Sequence, residues 1–186
     1  MSIENLKSQM PAYAKDIKLN LSSLLNEDIL AEQTLWGTLV ACAYGTKNAK
    51  VIAEIETEAK EHLSDEALNA AKAAASIMAM NNVYYKFVGM INDSEYGKMP
   101  ANLRMNVIAN PGVDKHDFEL WSLAVSAVNG CQPCLNAHDN TLKKEGVDTK
   151  HIQTAVRIAA VVQATAATLA GVDAIATENQ HVSAAA

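Results

Sequence analysis

Strand signals are scarce along this chain, and that scarcity constrains its fold more than any other feature. Apolar residues return at three- and four-residue intervals, alanine is abundant throughout, and runs of strict alternation, the mark of a half-buried strand, are few. Eight glycines and four prolines in 186 residues read as falling between the periodic segments rather than within them, ending helices without interrupting them. The fold class is therefore all-α. Helices are expected over 11–25, 30–45, 48–62, 65–87, 101–108, 115–129, 132–145 and 149–176. With 49% hydrophobic content, residues 1–177 suffice for one domain with a sizeable core, and the small, polar tail 178–186 is expected to fray.

Charge and hydropathy narrow the setting. A net charge of −6 with no basic cluster leaves nucleic acid without a binding face. The first residues are acidic and lack an apolar segment before a small-residue cleavage site, so no secretory signal is read and the cytoplasm is the expected location. Residues 152–177 are rich in small and apolar types, but Arg157, Gln163 and Asp173 interrupt them, which favours a buried or interfacial helix over a membrane span.

The chemistry concentrates in Cys131-Gln132-Pro133-Cys134 and the following His138. Asn129-Gly130 ends one apolar run and turns the chain just before the first cysteine. Pro133 then marks the first turn of a new helix, where a residue without an N–H is tolerated. The free N–H groups and the positive end of the helix dipole favour thiolate over thiol. Cysteines three apart on a helix face the same side, with Cβ atoms about 5–6 Å apart, so the pair can open and close as a disulfide. So short a loop removes little entropy from the unfolded chain and is poorly suited to stapling a fold. His138, four residues after Cys134, falls one turn along on the same face, within reach of the thiol proton. The third thiol, Cys42, sits among Val40, Ala41 and Ala43 and reads as a small buried hydrophobe.

Glu119 comes from the preceding helix, where Phe118, Trp121, Val125 and Val128 form an apolar stripe flanked by Leu120, Leu123 and Ala124. Glu119, Ser122, Ser126 and Asn129 recur at helical spacing as a narrow polar line leading to Gly130 and the cysteines. Spacing alone leaves two readings open: a proton-handling carboxylate, or a solvated one on a surface strip.

A repeat at a separation of about 85 residues is also suggested. Leu35-Trp36, Val40 and Gly45 align with Leu120-Trp121, Val125 and Gly130. After a one-residue gap Ala71 and Ala75 align with Ala155 and Ala159, and the expected N-caps Ser64 and Asp148 correspond. Two similar helical halves, about 28–90 and 113–176, would follow, with Thr46 and Ala49 standing where the second half has Cys131 and Cys134.

The pattern Glu-x11-Cys-x2-Cys-x3-His resembles the alkyl hydroperoxidase D (AhpD) proteins of the carboxymuconolactone decarboxylase superfamily. Segments such as Leu35-Trp-Gly-Thr-Leu39, Met78-Ala-Met-Asn-Asn-Val83, Arg104-Met-Asn-Val-Ile-Ala-Asn-Pro-Gly112 and Phe118-Glu-Leu-Trp121 carry the resemblance along nearly the whole chain. It implies an AhpD-like helical fold and an antioxidant, peroxide-reducing thiol oxidoreductase. By the same resemblance, Cys134 is the peroxidatic residue that becomes a sulfenic acid, and Cys131 resolves it as a redox disulfide. Glu119 and His138 match the family's proton relay. The electron donor is implied to be dihydrolipoamide carried on a lipoyl-bearing acyltransferase, with no bound cofactor or metal. An AhpC-type peroxiredoxin partner and a homo-oligomer, often a trimer, are implied as well. One branch of the family has a histidine directly before the second cysteine, where this chain has Pro133, so a role for that imidazole does not carry over.

Two other readings use the same residues. Cys131, Cys134 and His138 are soft enough to ligate zinc, given a fourth ligand or an open position, although neither His116 nor His151 is compellingly spaced. Alternatively, the superfamily fold serves non-redox lactone chemistry, which rarely needs a paired thiol.

Overall fold

The structure, a computed structural model, describes residues 2–26 and 28–184, with side chains for 3–26 and 28–176. Its centre is explained by two helices too apolar to sit at a surface. In α3 (Glu32–Thr46) every residue from 34 to 43 is buried, and in α7 (Lys115–Val128) nearly every residue from 117 to 126 is. A helix that is apolar all round must be enclosed by others. These two pack against each other and are enclosed by α5 (Asp65–Met90) and α9 (Thr149–Ala184), while α8 (Gln132–Lys144) lies against α7 and α5. The outer elements are α1 (Ser2–Gln9), α2 (Lys15–Leu25), α4 (Ala49–Ala59) and the short α6 (Asn106–Ala109). Among the described residues there is no strand, in agreement with the all-α reading.

Local chemistry starts these helices where the sequence says it should. Asn48, Ser64 and Asp114 cap α4, α5 and α7 by accepting backbone N–H groups, and Asp148 Oδ1 accepts Lys150 N at the start of α9. The two stretches expected to repeat each run from a buried helix through a shorter one to a long one, a likeness of element order.

Three expectations need correction. Residues 2–9 form a helix that was not expected, because only Ile3 and Leu6 mark its apolar side; it is held in place by α4, where Glu58 Oε2 accepts the Ile3 N–H at 2.8 Å. The helix expected over 101–108 shrinks to α6, since Asn102 adopts φ 53°, a left-handed conformation that no α-helix accommodates. Nor do all glycines lie between helices. Gly37 and Gly89 are inside α3 and α5, at points of contact too close for a side chain.

Residues 149–176 of α9 are long and apolar enough to cross a membrane by length and composition. Here the helix buries Ile152, Ala155, Ile158, Val162, Ala166 and Leu169 against α3 and α7, and Lys50 pairs with its Asp173 at 2.5 Å. Each fully buried branched side chain contributes about 1.5–3 kcal/mol, so one face of this stretch belongs to the core.

Candidate active site

The turn that presents the cysteines is built by the end of α7. Gly130 takes φ 62°, and its N–H bonds Ala127 O at 3.1 Å while Cys131 N bonds Ser126 O at 3.0 Å. That pair of bonds is the Schellman arrangement, which satisfies the last carbonyls of α7 and reverses the chain. Cys131 thereby becomes the N-cap residue of α8, with Pro133 in the first turn. Across the turn, Lys86 Nζ donates to Asn129 O at 2.6 Å, and Asn82 links Ser126 and Asn129 through two 2.9 Å hydrogen bonds. The floor beneath the dithiol is thus a satisfied polar network anchored on α5.

Cys131 and Cys134 are joined as a disulfide, with Cα atoms 5.3 Å apart. Their exposures differ: Cys131 is fully enclosed, whereas Cys134 reaches a cleft of about 240 Å³ between α5, α6 and α8. The cleft walls are chiefly Met78, Tyr85, Met105, Ile108 and Pro133, with His138 and Asn81 as the polar residues beside Cys134.

Glu119 and His138 meet Oε1 to Nδ1 at 2.8 Å, with side chains only 15% and 11% exposed. A carboxylate can only accept, so it fixes the Nδ1–H tautomer and leaves Nε2 as the nitrogen available to the cleft. Of the two readings open for Glu119, the surface strip is set aside. The polar line is internal: Ser122 and Ser126 are fully buried, and Ser126 and Asn129 belong to the network beneath the turn. The structure therefore gathers Cys131, Cys134, His138 and Glu119 at one place.

Set against known proteins, residues 94–177 match the carboxymuconolactone decarboxylase family. The chain is also similar to proteins named alkyl hydroperoxide reductase AhpD. The protein of Azorhizobium caulinodans is 59% identical over 169 residues, covering 91% of this chain and 93% of that one. That of Maricaulis maris is 58% identical over 170 residues, covering 91% and 98%, and that of Streptomyces griseus 56% over 169, covering 91% and 96%. The chain belongs to the AhpD family.

Membership gives the dithiol its context, and the geometry adds what spacing alone missed. The cleft side of this AhpD-family site comes from α5 and α6, distant in sequence from the cysteines; residue spacing gave no sign of it, although its Met78, Asn81, Met105 and Ile108 fall in two of the segments that carry the resemblance. Asn81 Oδ1 is buried with no hydrogen-bond partner among the described residues, a condition that costs about 1–3 kcal/mol. Cys42 is fully buried, and burial pushes its thiol far above the usual range, so it stays a core residue. As for the zinc reading, no group of three or more His, Cys, Asp or Glu side chains is disposed to hold a metal ion among the described residues, and His138 Nδ1 is engaged by Glu119.

Proposed function

We propose that the protein is an antioxidant enzyme that reduces alkyl hydroperoxides through a Cys131–Cys134 dithiol/disulfide cycle. The observation that carries this reading is the asymmetry of the pair: Cys134 opens to an apolar cleft and Cys131 is sealed behind it. Only the outer sulfur can meet a substrate, and only the inner one is placed to resolve the product. The names of the relatives support the same chemistry.

In the reduced enzyme, His138 takes the Cys134 thiol proton, with Glu119 stabilising the resulting imidazolium. The thiolate attacks the terminal peroxide oxygen, the O–O bond breaks, and the alkoxide leaves as alcohol with the proton from His138. Cys131 then attacks the Cys134 sulfenic acid, water departs, and the disulfide closes. A second dithiol reopens it by exchange. Dihydrolipoamide on an acyltransferase is the proposed donor. Relay of electrons to an AhpC-type peroxiredoxin uses the same disulfide. The apolar cleft walls favour alkyl over hydrogen peroxide. A cytoplasmic homo-oligomer, trimeric or a multiple of three, completes the proposal; the exposed apolar side chains Val83, Phe87 and Met90 on α5 support association.

The test is dihydrolipoamide-dependent reduction of tert-butyl hydroperoxide by wild type, Cys134→Ser and Cys131→Ser. Turnover by wild type alone is expected. Activity that appears only with an added peroxiredoxin would make the protein a relay, and activity retained in Cys134→Ser would defeat the dithiol cycle.

A further inference from the structure

Asn81 and Asn82 are adjacent amides of α5 with opposite situations. Asn82 is fully engaged, donating to Ser126 and accepting from Asn129 beneath the dithiol turn. Asn81 lines the cleft beside Cys134 and His138, its backbone oxygen is 4.0 Å from Cys134 Sγ, and the residue is 5% exposed. Yet its Oδ1 has no hydrogen-bond partner among the described residues. A buried amide acceptor without a donor is disfavoured, and an isosteric leucine would avoid the penalty, so an amide at this position calls for a donor that arrives from the cleft.

A hydroperoxide brings one donor, its O–H, into a cleft whose other walls are the thioethers of Met78 and Met105, the apolar Ile108, Pro133 and Ala137, and Tyr85, which adds a phenol hydroxyl. We infer that Asn81 is a substrate-binding residue of the peroxide step, its Oδ1 accepting the hydroperoxide O–H and thereby holding the terminal oxygen over Cys134 Sγ. This rests on the peroxidase reading above. The alkyl-bearing oxygen is then directed to His138. The sulfur lone pair forms the S–O bond as the O–O bond breaks, and the alkyl oxygen leaves with the O–O bonding pair and takes the His138 proton. Cys134 is oxidised by two electrons and the peroxide is reduced by two. The hydroxyl proton never leaves the terminal oxygen, so it becomes the sulfenic O–H and Oδ1 serves substrate and product alike. When Cys131 closes the disulfide, that oxygen departs as water.

The test places Asn81→Leu in a Cys131→Ser background, so that the sulfenic acid accumulates and can be trapped with a chlorodinitrobenzofurazan-type reagent. Sulfenic acid formation with tert-butyl hydroperoxide should slow by about 10- to 100-fold, the effect of one lost hydrogen bond. Alkylation of Cys134 by iodoacetamide, which reports the thiolate and the intact site but brings no O–H, should stay within about twofold. Unchanged oxidation, or a parallel fall in alkylation, overturns the inference. If Asn81→Leu does not fold, Asn81→Ala makes the same comparison. Failure of the Cys131→Ser parent itself to form a sulfenic acid overturns the peroxidase reading and this inference together, which separates the two kinds of failure.

Discussion

Gly89 on α5 and Pro133 on α8 touch so closely that a Cβ on Gly89 would fall 2.4 Å from the proline Cγ. A missing side chain on one helix thus sets how deeply the dithiol turn seats against the other. Gly89→Ala would gain about 1 kcal/mol of helix propensity, but the clash with a ring that cannot rotate away costs about 1–3 kcal/mol. The expected result is a net loss of stability on urea unfolding, together with slower peroxide turnover as Cys134 shifts in its cleft. A variant more stable than wild type with unchanged turnover would show that the helices separate without consequence.

The Glu119–His138 contact gives a prediction of coupling. Glu119→Gln keeps the shape but removes the charge that stabilises the imidazolium, and kcat/KM for tert-butyl hydroperoxide should fall about 10²-fold or more with the helical circular dichroism unchanged. His138→Asn should fall at least as far. Because the two act as one unit, the double variant should be little worse than His138→Asn alone. Independent, multiplicative losses would argue against a relay.

How much of this was legible beforehand depends on the distance over which each feature is determined. The helix starts at Ser64 and Asp148 were readable because each side chain acts on an N–H group two or three residues away. The Cys131, Cys134 and His138 grouping was readable because α8 and its N-cap residue carry all three. Glu119 stayed ambiguous because its role depends on a partner in another helix. The cleft wall was hidden for the same reason: Met78, Asn81 and Met105 acquire meaning only when α5 and the segment before α6 fold over α8. Likewise α1 is a product of docking on α4, and the left-handed Asn102 keeps the first turn of the helix expected over 101–108 from forming.

Gly37 supplies a prediction for the centre of the fold. A Cβ there would lie 2.1 Å from Trp121 Cζ2, and that indole cannot retreat, since its Nε1 donates to Thr34 O at 3.1 Å and the ring is fully buried. Gly37→Ala is therefore placed at the severe end of overpacking, about 3 kcal/mol, which for a chain of this size lowers Tm by roughly 6–12 °C. Calorimetry on the oxidised protein checks it. A shift under about 2 °C would mean that α3 and α7 slide apart at little cost.

The last prediction concerns pH, through a cluster remote from the cysteines. Glu56 accepts Lys72 Nζ at 2.6 Å and the Tyr44 hydroxyl, with Lys60 at 3.7 Å, tying α3, α4 and α5 together. Burial alone would raise the Glu56 carboxyl, but the hydrogen bonds from Lys72 and Tyr44 and the two lysine charges outweigh it and hold the group below the usual carboxylate range. Tyr44 moves the other way, pushed up to about 12 by burial first and then by its bond to the Glu56 carboxylate. The signs follow from which state binds the proton more readily. Glu56 contributes stability above the ordinary carboxylate range, and loses it as pH falls through its lowered folded value. Tyr44 contributes fully below about pH 10, its unfolded value, and loses that contribution as pH rises towards 12. Urea midpoints measured across pH should therefore decline at both ends. Glu56→Gln should flatten its share of the acid limb completely, while reducing the alkaline limb only in part, because burial of the phenol, the larger cause, remains. Parallel profiles for wild type and Glu56→Gln between about pH 3 and 7 would mean that the carboxylate titrates alike folded and unfolded, and that the ties from Lys72 and Tyr44 add nothing to stability.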